Sequence, residues 1–214
     1  MPAGREVRSG ELPPASNGSR ADRRGREIVV VSGLPRCGTS MMMRMLEAGG
    51  HPVLTDHLRG PDADNPGGYY EFEPVKKIGE SADWLGRASG QAVKIISRLL
   101  FQLPAGFHYR VIFMRRSMDE VLASQRCMLA RRGQPVRPEE DEAMGRLFRR
   151  HLEEVERWLR VQEGIETLWV SYNETLKFTL EQARRVNGFL GGRLDPARMA
   201  AVVDMTLYRQ RSKP

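Results

Sequence analysis

An arginine enclosed between two glycines, Gly33-Leu34-Pro35-Arg36-Cys37-Gly38-Thr39-Ser40, is the segment best suited to chemistry. It follows a β-branched run, Ile28-Val29-Val30-Val31, and precedes an apolar stretch with Met41, Met42, Met43, Met45 and Leu46. That is strand, loop, helix. Amides at such a loop and the helix dipole both favour an anion. The glycine spacing matches the phosphate loop G-x-x-x-x-G-K-[ST], but Thr39 stands at the lysine position, and the strong cation is Arg36 within the loop. The loop therefore reads as a phosphate holder without the lysine that steadies a nucleoside triphosphate. An arginine pair, Arg115-Arg116, stands just past the strand-like Tyr109-Arg110-Val111-Ile112-Phe113-Met114.

The rest of the chain must position these groups. Strand-like segments at 28–31, 51–54, 91–96, 109–114 and 166–172 alternate with helical ones. This predicts an α/β fold, a three-layer sandwich with a mostly parallel central sheet, like that of P-loop NTPases. Ligands in such folds bind outside the carboxyl ends of the strands, where both motifs sit. Helices are expected within about 73–87, from near Ser117 to Arg131, from Pro138 to Val161, after Tyr172 to Phe189 and over about 196–205. Ser117 and Glu120 spell a capping box. In the helix to Val161, Met144, Leu147, Phe148, Leu152, Val155, Trp158 and Leu159 form one apolar stripe.

The Leu34–Ser40 stretch resembles the 5′-phosphosulfate loop of sulfotransferases that use PAPS (3′-phosphoadenosine 5′-phosphosulfate), with Cys37 in place of a serine. The Pro-Arg form is that of tyrosylprotein sulfotransferases and bacterial relatives. Arg116 and Ser124, eight residues apart, match the family's 3′-phosphate pair. The resemblance runs over about 28–192 and implies sulfuryl transfer from PAPS to a hydroxyl or amine of a small-molecule or peptide acceptor, leaving PAP. It implies cofactor contacts from Arg36, Cys37, Gly38, Thr39, Ser40, Arg116, Ser124 and Tyr172, with Tyr172 near the adenine. Arg36 would offset charge on the leaving group, and no metal is expected. The plainer readings are that Thr39 and Ser40 cap the helix, that Cys37 fills a serine's place and that Tyr172 is a core aromatic.

The proton acceptor is less direct. Where cytosolic animal members carry Lys-Thr-His, this chain has Lys94-Ile95-Ile96; the lysine remains and isoleucine replaces the base. Lys94 would assist at the sulfonate oxygens. Asn65-Pro66-Gly67-Gly68-Tyr69-Tyr70-Glu71-Phe72-Glu73 resembles a bacterial segment that offers Glu71 as base, with Glu73 and His57 as substitutes. Arg209 and Arg211 would be a basic C-terminal contact to the 3′-phosphate. Two other readings compete: a P-loop small-molecule kinase and a non-catalytic nucleotide-binding module. The strand ends Ile96-Ser97, Met114-Arg115 and Val170-Ser171 lack the aspartate that a kinase uses for Mg²⁺.

Composition agrees with this frame. The chain has 214 residues, 40% hydrophobic and 29% charged, which suits one globular domain. The formal charge of +7 suits an anionic ligand. Residues 1–26 carry six arginines against three acids and read as a disordered basic tail before a single domain at 27–214. Such a tail could touch nucleic acid or anionic membrane, but neither is the expected partner. No apolar run approaches the ~20 residues of a membrane span, and two cysteines give no disulfide framework. A cytoplasmic setting is the expectation.

Overall fold

The computed structural model describes residues 27–208; the basic tail and Arg209 and Arg211 lie outside them. Five strands are arranged β2-β3-β1-β4-β5. They are β1 (Glu27–Gly33), β2 (Val53–Leu54), β3 (Ala92–Lys94), β4 (His108–Arg115) and β5 (Ile165–Ser171). Every pairing is parallel. The central β1 is buried on both faces from Ile28 to Gly33, which explains its unbroken β-branched run.

Register sets the site. Gly33 pairs with Met114, and Met114 with Val170. The glycine loop, Arg116 and Tyr172 therefore all leave the same sheet edge at one level. Val31 pairs with Lys94, which brings the lysine to that edge from the other side.

Among the described residues, seven α-helices cover the sheet: α1 (Thr39–Ala48), α2 (Leu85–Ala88), α3 (Met118–Arg131), α4 (Asp141–Val161), α5 (Tyr172–Lys177), α6 (Thr179–Phe189) and α7 (Pro196–Ala201). Strand residues alternate between two cores. Val29, Val31, Ile112 and Met114 pack with the α1 methionines, Val186 and Met199. Ile28, Val30, Val111 and Phe113 pack with Trp84, Leu85, Val155 and Leu159 on the opposite face. This is the three-layer arrangement that the strand–helix alternation predicts.

Three local expectations differ. The helix expected over 73–87 is a 3-10 turn at Glu73–Lys77 and then the four-residue α2. Gly79 lies between them, and Ser81 donates to Asp83 at 3.0 Å, a local bond that competes with helix. The helix after β5 breaks at Phe178. Leu176 before the break and Val186 after it reach the same core. At α3, the Ser117 side chain makes no capping bond. Glu120 turns inward instead of back toward the Ser117 N–H, which donates to Asn173 Oδ1 at 3.4 Å.

Candidate active site

The glycine loop is shaped by sterics. A Cβ at Gly33 would stand 2.4 Å from Cys37 Sγ and 2.6 Å from the Met114 carbonyl oxygen. Gly38 has φ 98°, and a Cβ there would meet the Tyr172 ring at 2.4 Å. Arg36 holds φ 69°, uncommon for a side-chain-bearing residue and a mark of local strain. Helix α1 then starts at Thr39 with no side-chain cap at Gly38, so no side chain there satisfies its first-turn amides. Cys37 is buried beneath the loop, and burial pushes its thiol up to about 12. It acts as a small neutral filler.

Arg116 is held by a buried network. Its Nε donates to Glu120 at 2.8 Å, and the two side chains are 7% and 0% exposed. Glu120 also accepts from the Tyr208 hydroxyl at 2.5 Å and from Asn173 Nδ2 at 3.0 Å. The Arg116 guanidinium lies 4.5 Å from the Tyr172 ring centre. Its Nη1 donates to the Arg36 carbonyl at 3.0 Å. Arg36 in turn donates through Nε to Ser124 Oγ at 3.0 Å and through Nη2 to the Asp64 carbonyl at 3.0 Å. Burial pulls Arg36 down from its ordinary value while Asp64 opposes this; an arginine stays protonated regardless.

A cleft of about 280 Å³ opens here, lined by Arg36, Gly38, Thr39, Ser40, Glu71, Lys94, Arg116, Ser124 and Tyr172 among others. Of the residues named from sequence, Cys37 lies below this surface. Lys94 Nζ donates to the Tyr69 carbonyl and, at 3.4 Å, to Ser40 Oγ. Burial lowers Lys94 to about 8, with Glu71 opposing. The Glu71 carboxylate faces the cleft and takes Arg59 Nη1 at 3.0 Å. Glu73 instead pairs with Lys76 at 2.7 Å away from the cleft, and His57 is exposed and does not line it.

Several cleft contacts carry no signal in the sequence. Asn65 Nδ2 donates to Ser40 Oγ at 3.0 Å, and Arg59 stacks 3.3 Å from the Tyr69 ring centre. Arg131, at the end of α3, donates to Asp64 at 2.6 Å. These contacts tie the polar loop at 55–70 to both α1 and α3. They join residues far apart in the chain, so no local pattern announces them.

No protein-family model matches the sequence, and no curated protein matches it. Solved structures do resemble the fold. The sulfotransferase domain of the Synechococcus PCC 7002 olefin synthase superposes with a TM-score of 0.52 at 14% identity, over 96% of this chain and 88% of that one. A sulfotransferase from Alicyclobacillus acidocaldarius gives 0.48 at 16% identity, over 86% and 99%. Retinol dehydratase in complex with androsterone and the inactive cofactor PAP gives 0.41 at 15%, over 84% and 63%. The first of these superpositions gives the chain the fold of that sulfotransferase domain, an α/β sandwich on a parallel sheet.

Proposed function

We propose that the chain is a sulfotransferase that moves a sulfuryl group from PAPS to a hydroxyl or amine of a small-molecule or peptide acceptor. One observation carries this: two anion cradles share a cleft and touch directly, through Arg116 Nη1 to the Arg36 carbonyl and Arg36 Nε to Ser124 Oγ, each at 3.0 Å. That pairing suits a nucleotide with separate 5′ and 3′ anionic groups. The residues fit such a ligand. The space at Gly33 and Gly38 admits no side chain, the α1 amides are uncapped, and the cleft wall is rich in arginine and lysine.

When bound, PAPS supplies an activated sulfuryl group. The loop amides, Thr39 and Ser40 hold its 5′ end, while Arg116 and Ser124 hold the 3′-phosphate. Arg36 offsets charge that develops on the departing phosphate oxygen, as a fixed cation in a partly dry site. Lys94 steadies the sulfonate oxygens. Glu71 takes the acceptor's proton while Arg59 orients its carboxylate.

Thermal-shift titration tests the ligand. PAP is expected to stabilise the fold by about 2.7 kcal/mol at one hundred times its Kd. Stabilisation by ATP with magnesium and none by PAP would overturn the reading in favour of a kinase. For the base, Glu71→Gln keeps PAP affinity and lowers PAPS turnover by about 10²-fold or more; unchanged turnover removes Glu71 from the role.

A further inference from the structure

The polar loop at 55–70 places its own carbonyls on the groups assigned to the nucleotide's 5′ end. Arg36 Nη2 donates to the Asp64 carbonyl at 3.0 Å. The Lys94 ammonium donates to the Tyr69 carbonyl. The Ser40 hydroxyl donates to that same carbonyl at 3.4 Å, and it accepts from Asn65 Nδ2 at 3.0 Å and from Lys94 Nζ at 3.4 Å. A hydroxyl has one proton to give and two lone pairs to offer. Ser40 uses all three within the chain. It can donate to a phosphate oxygen only after the Tyr69 carbonyl has moved away.

That carbonyl belongs to a strained peptide unit. Tyr70, on its far side, has φ 52°, in the left-handed region that disfavours residues with a Cβ. Turning the Tyr69–Tyr70 peptide over rotates ψ of Tyr69 and φ of Tyr70 together by about 180°, which takes Tyr70 to about −130°, ordinary extended backbone. The same turn carries the carbonyl away from Ser40 and Lys94 and directs the Tyr70 N–H toward them. An oxygen that repels an anion is exchanged for a donor that attracts one. The flanking chain is pinned and need not follow. The Glu71 carbonyl accepts from Thr55 Oγ1 at 2.9 Å and from the Asp56 N–H at 3.2 Å, and the Tyr69 phenol donates to Asp62 at 2.6 Å.

We infer that the Tyr69–Tyr70 peptide is a switch in the 5′ cradle. With its carbonyl inward it occupies Ser40 and Lys94; turned over, it releases both and adds an N–H for the 5′ anion of the nucleotide. This rests on the donor reading above. A ligand that binds only the turned form has its affinity reduced by the fraction of the chain already in that form. The backbone preference of the residue at position 70 therefore sets nucleotide affinity.

The test is calorimetric titration of the full chain with PAP and with adenosine 3′-phosphate, which has no 5′ anion. Two variants are compared with each other, Tyr70→Ala and Tyr70→Gly. Both lose the phenol's bond to Glu47, and they differ in how readily position 70 takes a positive φ. Tyr70→Ala favours the turned peptide and is expected to bind PAP about fivefold more tightly than Tyr70→Gly. Adenosine 3′-phosphate should bind the two variants equally. A second measurement needs no variant. In wild-type protein the strong intraresidue amide-to-Hα NOE of a left-handed residue is expected at Tyr70 and should be lost at saturating PAP. Equal PAP affinities in the two variants, or an NOE that survives PAP, overturns the switch and leaves the donor reading standing. PAP that binds neither wild type nor variants overturns both.

Discussion

The two proposed anion cradles are built on opposite principles. At Gly33–Ser40 the chain's own backbone does the work: strand end, strained turn, uncapped helix start. Its cation, Arg36, touches neutral oxygens only, those of Ser124 and Asp64. At Arg116 the backbone contributes little, and the cation is already paired to a buried carboxylate within a Glu120–Asn173–Tyr208 network. One cradle is preorganised by geometry, the other by charge. A carboxylate beside a phosphate site lowers its net charge, but it fixes the arginine's direction before the ligand arrives. The difference predicts different failures.

The largest effect is expected at the charged cradle. Arg116→Ala leaves Glu120 buried without its cation and should cost about 3–5 kcal/mol of stability in urea melts. Adding Glu120→Gln to that variant should recover part of the stability without recovering PAP binding. A small loss in the single variant would mean that the network is not cooperative, and the contrast between cradles would fail.

Gly38→Ala strikes the other cradle. It places a side chain at φ 98° and against the Tyr172 ring, with an expected cost of about 2 kcal/mol and loss of PAP binding. Full PAP affinity in that variant would show that the loop tolerates rearrangement.

The smallest effect concerns Lys94, the one cleft cation whose charge changes in an accessible pH range. Its folded value is about 8, below its ordinary 10.5. Above about 8 the folded chain gives up a proton that the unfolded chain keeps until about 10.5. Stability therefore rises across that window, and the full penalty of a buried ammonium applies below it. PAP affinity should move the other way and fall as pH passes about 8. Lys94→Met flattens both slopes; unchanged slopes would place the titration elsewhere.

How much of each proposed cradle is legible in the sequence follows from the same contrast. The glycine loop is a contiguous feature, so spacing and the preceding β-branched run located it. Arg116 was visible through its strand end and its distance to Ser124. Its network was not. Ser117-x-x-Glu120 has the pattern of a capping box, and only Asn173 and Tyr208, arriving from the other end of the chain, turn Glu120 inward. The 73–87 segment misled for a related reason: its composition allows helix, while Gly79 and the Ser81–Asp83 bond break it.

The parallel sheet has a bearing on when this protein acquires its ligand. Gly33 is completed by Met114, and the Arg36 carbonyl by Arg116, a partner 80 residues downstream. Such non-local closures form late and slowly during folding. Neither fragment of a chain cut between β1 and β4 holds both halves of the pocket. The proposed nucleotide pocket is therefore a property of the closed sheet as a whole, and the appearance of PAP binding during refolding would time the docking of β4 onto β1.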